Sequence, residues 1–102
     1  MKIIEKLSDM IADELDGAEA YAKCALKYKD EYPELARTLY AISTQEMEHV
    51  NMLHASVVKL IEDHRRTKGE PPAPMMAVYE YLHGKHIEHA NKVKSYQEQY
   101  RA

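Results

Sequence analysis

The tetrad Asp30-Glu31-Tyr32-Pro33 splits the stretch from Lys2 to Arg66 into two long runs of helical periodicity. Before it, Ile4, Leu7, Ile11, Leu15, Ala18, Ala22 and Ala25 recur every three or four residues, the spacing of one helix face. After it, Leu35, Leu39, Ile42, Val50, Leu53, Val57 and Leu60 do the same. The break is chemical. A residue before proline is pushed out of the helical region, whereas proline itself suits the first turn of a new helix. A connection this short joins two helices as an antiparallel hairpin. The prediction is helices over about 2–30 and 33–66, a connector at 67–74 where Gly69, Pro71, Pro72 and Pro74 forbid continuation, and a third helix over about 75–100.

Composition agrees with an all-α reading. The chain has 102 residues, enough for one domain spanning 1–102 with a modest core. Only three Gly and no Phe or Trp accompany its Ala, Leu, Glu and Lys, a balance that favours helix over sheet. A formal charge of −3 gives no reason to expect nucleic acid, and no apolar run is long enough to span a bilayer. The lone Cys24 cannot form an intrachain disulfide, and Met1 to Glu5 lacks the apolar core of a signal peptide, so a reducing, cytoplasmic setting is expected.

Within the second run, Glu46-Met47-Glu48-His49 sets a carboxylate and an imidazole three residues apart, on one helix face one turn apart. On a helical wheel Leu39, Leu53 and Val57 fall within about 20° of Glu46, and His49 lies about 60° away, so Glu46 is expected at the centre of the apolar stripe. Glu14 lies within about 40° of the first helix's stripe, whereas Glu19 falls about 100° off it. Measured from the hairpin apex, Glu14 and Glu46 each lie roughly 21 to 26 Å away, level with each other. Burying such groups unpartnered costs several kcal/mol, so cores keep them when paired, hydrogen-bonded or bound to metal. Two readings follow: a metal-ligand set, or a polar layer that fixes register or lines a wet subunit interface.

The run from Glu46 to Leu53 resembles the second-helix motif of rubrerythrins and other ferritin-like di-iron proteins, and Glu14-Leu15-Asp16-Gly17-Ala18-Glu19-Ala20-Tyr21 resembles their first-helix pattern. The resemblance covers roughly residues 2–66. It implies a ferritin-like fold in which Glu14 is a terminal carboxylate ligand, Glu46 a carboxylate bridging two irons, and His49 the imidazole ligand. It also implies oxidation of Fe(II) by dioxygen or peroxide, a ferroxidase or peroxidase-like activity. Electrons would come from a donor protein or from iron itself. Oxygen and imidazole ligands suit iron or manganese, and zinc is also accommodated.

A complete four-helix site takes a Glu from each of two helices and Glu-x-x-His from each of two others. This chain supplies one such set. Glu80-Tyr81-Leu82-His83 repeats the pattern on the third helix, yet Glu80 lies about 160° from that helix's apolar centre and is expected to face solvent. Dimerisation would complete the bundle: two hairpins around a two-fold axis, as in short encapsulated ferritins, which this arrangement resembles. His86 and His89 lie within about 40° of the third helix's stripe and are candidate extra ligands or orienting donors, or packed residues. His64 suits a helix C-terminus, and His54 only flanks a stripe. Tyr21, Tyr28 and Tyr40 read as packing residues. The rival functions are a metal-free helical interaction protein and an iron-binding protein without catalysis.

Overall fold

The computed structural model describes residues 1–102 and consists of three helices: α1 (Lys2–Lys27), α2 (Pro33–Lys68) and α3 (Ala73–Arg101). It has no strand, and no helix is long and apolar enough to cross a membrane. The joints are where proline and glycine put them, with small shifts. α1 stops at Lys27, three residues before its expected end, because the chain turns through residues 28–32 and Tyr32, held at φ −133° before Pro33, caps α2. α2 runs two residues further than expected, to Lys68. It ends at Gly69, whose φ of 85° is reached without the Cβ clash other residues would meet. α3 starts two residues early, at Ala73, since Pro74 fits a first turn whose N–H groups need no intrahelical acceptor. Charges follow the helix dipoles: Glu5 and Glu34 sit in first turns, and Lys27, Arg65 and Arg66 in last turns.

α1 packs along both other helices, which touch each other little. The direction of α3 is fixed by its ends: the Met1 ammonium lies 2.6 Å from the Met75 sulfur, and Lys29 Nζ donates to the Ala102 carbonyl at 2.7 Å. α3 therefore runs alongside α1 in the same sense, giving an elongated bundle of 55 × 19 × 18 Å. In its lower half the core is Ile4, Ile11 and Leu15 against Val50, Val57 and Ile61. In its upper half Ala18, Ala22, Ala25 and Ala36 are fully buried, small side chains that let α1 and α2 approach closely. Here a polar chain crosses all three helices. Gln97 Nε2 donates to Ser43 Oγ at 3.0 Å, and that hydroxyl donates to the Ala18 carbonyl at 2.7 Å.

The apolar periodicity of the hairpin resolves into two neighbouring faces. On α2, Ala36, Ser43, Val50 and Val57 are buried, whereas Leu35, Leu39, Ile42, Glu46 and His49 are half-buried or exposed. On α1, Ile4, Ser8, Ile11, Leu15 and Ala18 are buried, whereas Ile3, Leu7, Met10, Glu14 and Tyr21 are not. One face of the hairpin thus holds the fold and the other stays open. Only 15 of the 102 residues are buried, so the isolated chain has a thin core while Ile3, Met10, Leu35 and Met52 remain exposed.

Candidate metal centre

The open face carries the carboxylate and imidazole trio singled out by the spacing. Helix α1 presents Glu14, and α2 presents Glu46 and His49 one turn apart. One donor atom from each lies within 4.8 Å of the others. His49 Nδ1 stands 3.3 Å from Glu14 Oε2. Glu14 and Glu46 are half-buried and His49 is exposed, so the trio sits at the rim of the hairpin and not in its core. This departs from the wheel, which put Glu46 at the centre of one stripe; the true centre of the buried face is Ser43 and Val50. The adjoining groove is lined by Glu14, His49, Met52 and Leu53, with nothing from α3.

Gly17, one turn after Glu14, explains how Glu46 reaches this place. A Cβ on residue 17 would stand 3.2 Å from Glu46 Oε2, tighter than ordinary van der Waals contact. Electrostatics then couples the two acids. Hydrogen bonding with Glu46 holds Glu14 below the usual carboxylate range, with His49 adding to the effect against opposing burial. The same hydrogen bond, helped by burial and by the Glu14 charge, raises Glu46. As pH falls, two facing carboxyls whose titrations separate in this way take up their first proton as a pair. A divalent cation would replace that proton, relieve the carboxylate repulsion and gain an imidazole donor. Two hard oxygen ligands and one nitrogen fit iron or manganese, and also zinc.

The other candidates lie elsewhere. His89 Nε2 stands 3.3 Å from Glu19 Oε1 and 4.0 Å from Asp16 Oδ1, with Lys92 Nζ also 3.3 Å from Glu19. Glu19, off the stripe on the wheel, is thus turned toward α3. His86 lines a cleft between α2 and α3 with His54 and His83. Glu80 is exposed, as its wheel position predicts. His64 Nδ1 meets the Gly69 carbonyl at 3.0 Å, at the end of α2. Tyr28 packs on Tyr32 and Tyr40 on Tyr100, both at the hairpin's apex end. The pairing of His54 with His83 escaped the sequence reading, because each lies off the apolar centre of its own helix and only the packing of α3 brings them together.

No curated protein and no solved structure matches the chain. The rubrerythrin family model matches residues 5–102, so that similarity extends through α3 as well as the hairpin. With its helical fold and its carboxylate and imidazole trio, this chain belongs to the rubrerythrin family.

Proposed function

We propose that the chain is a di-iron carboxylate protein that oxidises Fe(II) with dioxygen or peroxide, its centre built between two copies. The observation that carries this reading is the meeting of Glu14, Glu46 and His49 on the open face of the hairpin, flanked by exposed apolar side chains. One chain offers two carboxylates and one imidazole, half the ligands of a four-helix di-metal site. A second copy set face to face would supply the rest and cover Ile3, Met10, Leu35 and Met52. Iron, when bound, supplies one-electron exchange between its ferrous and ferric states. Glu46, confined by Gly17, would be the bridging carboxylate, and Glu14 and His49 would be terminal ligands. The carboxylates favour the ferric ion by charge, and the proton they share leaves when metal binds. His86 and His89 lie away from this face and are not assigned to the centre. Manganese or zinc are the competing ions. Electrons come from iron or from a donor protein, in a reducing cytoplasm that keeps Cys24 a thiol.

Anaerobic Fe(II) titration coupled to light scattering tests both halves of the proposal. The expected result is a dimer or larger assembly binding about two irons per pair of chains, with binding lost in Glu46→Ala and His49→Ala. Exposure of the loaded protein to oxygen or peroxide should then give ferric absorption faster than free iron does. Absence of bound transition metal would overturn the reading in favour of an interaction protein. Binding without accelerated oxidation would leave an iron-binding protein.

A further inference from the structure

Three of the six histidines meet an oxygen: His49 at Glu14, His64 at the Gly69 carbonyl and His89 at Glu19. The other three line one cleft, in which His54 and His83 stack. His54 projects from α2 into a cleft against α3, where His83 and His86 stand three residues apart and so on one helix face. The rings of His54 and His83 lie parallel, with 4.7 Å between centroids and 8° between planes. Tyr79 also lies parallel to His83, with 5.8 Å between ring centroids. Asn51, Ile11 and Ala90 also line this hollow, and no carboxylate does.

Three imidazoles gathered without an acid are unusual as packing. All three are half-buried, so their nitrogens stay within reach of solvent and of a dissolved ion. Charging them together is opposed. Burial pushes the His54 imidazole down with His83 adding to the effect, and burial likewise lowers His86, helped by His83, His89 and His54. His54 and His86 are thus held toward the neutral form, whose free lone pair binds metal.

We propose that His54, His83 and His86 form a second metal site, taking one borderline divalent ion of the zinc, nickel or copper kind and tying α3 to the hairpin. Imidazole-only donor sets favour these ions, whereas the oxygen-rich trio of the open face suits iron and manganese. Three ligands from two helices, with a fourth position open to water, match the ligand number of an open zinc site. Lone pairs lie in the ring planes, so two parallel rings cannot aim at one ion. Binding turns one ring out of the stack about its Cβ–Cγ bond, a torsion with broad wells. The cleft opens on solvent and gives the ring room to move.

The site is independent of the di-iron reading and is tested without it. A chain carrying Glu14→Ala, Glu46→Ala and His49→Ala is titrated with Co²⁺ and Zn²⁺ at about pH 7.5, where protons compete little with metal. The expected result is one ion per chain, visible as a Co²⁺ ligand-field band, with Cu²⁺ showing nitrogen splitting in its paramagnetic resonance spectrum. Adding His83→Gln or His86→Gln should weaken binding by about 100-fold or more, beyond the usual effect of an outer partner. Circular dichroism checks that helix content is kept. Should the triple variant not fold, His83→Gln in the otherwise unchanged chain should remove one zinc equivalent per chain and leave the iron equivalents intact. Absence of saturable Zn²⁺ binding, or binding that both glutamine variants leave unchanged, would overturn the site and leave a purely structural histidine stack.

Discussion

Glu46 rests against the bare backbone of Gly17, so close that a methyl group there would stand 3.2 Å from its Oε2. The place of the Glu46 carboxylate and the packing of α1 on α2 therefore compete for the same few tenths of an ångström. Gly17→Ala separates them. Alanine should favour α1 by up to about 1 kcal/mol, because glycine is the poorer helix former. The carboxylate, as the flexible partner, should swing aside. The expected outcome is an unchanged or higher melting temperature together with Fe(II) affinity lowered about tenfold, read by thermal denaturation and anaerobic titration. Unaltered affinity would show that Glu46 does not need this place.

Metal binding should release the proton shared by Glu14 and Glu46. Because Glu46 titrates above the ordinary range, apparent affinity should rise with pH through its raised pKa and level off above it. Calorimetry in buffers of differing ionisation enthalpy measures the proton count. Glu46→Gln, which keeps an amide facing Glu14, should abolish both the release and tight binding while changing stability by less than about 1 kcal/mol.

Acid should loosen the fold at the histidine cleft. His54 and His86 have folded-state pKa values below their ordinary 6.5, so the unfolded chain binds protons first as pH falls. Stability from this source is full above about pH 6.5 and declines below it until the folded values are passed. Denaturant melts of metal-free protein between about pH 7.5 and 5.5 should show this decline, and a His54→Asn, His86→Asn double variant should flatten it. An equal slope in both proteins would place the acid sensitivity elsewhere.

Ser43→Ala should cost about 1–3 kcal/mol, since it leaves the Gln97 amide and the Ala18 carbonyl without their shared partner. Urea denaturation measures it. In the Gln97→Ala background the same change should cost measurably less, because the two side chains belong to one network.

The hairpin is legible in the sequence because proline and glycine act locally: Pro33 and Gly69 mark joints whatever surrounds them. The Glu14, Glu46 and His49 set is legible for a similar reason, since a three-residue spacing and a distance from the apex depend on helix geometry alone. The division of the apolar stripe is not. Ser43 and Glu46 lie about 60° apart on a wheel, within one broad apolar arc, and only the docking of α3 and the contact of the two hairpin helices decide which half is buried. Gln97 is illegible for the same cause: a glutamine near a helix end reads as solvated until Ser43 is seen beneath it. The end of α1 at Lys27 likewise depends on how many residues the turn consumes.

The chain of hydrogen bonds from Gln97 through Ser43 to Ala18 makes one end of α3 a fulcrum. Sliding the helix there by a turn, about 5.4 Å, would break the buried hydrogen bond from Gln97 to Ser43, so its axial position is single-valued. Met75, at the other end, lies roughly 33 Å away at about 1.5 Å per residue. There α3 leans over a hollow of about 260 Å³ lined by Ile4, Ser8, Val78 and Leu82. A tilt of only about 5° at the fulcrum carries that far end about 3 Å, enough to fill or open the hollow. Any tilt of α3 would thus have a lever arm, short-throw at the tyrosine-rich tip and long-throw at the methionine-rich base, where the Met1 contact with Met75 would have to yield.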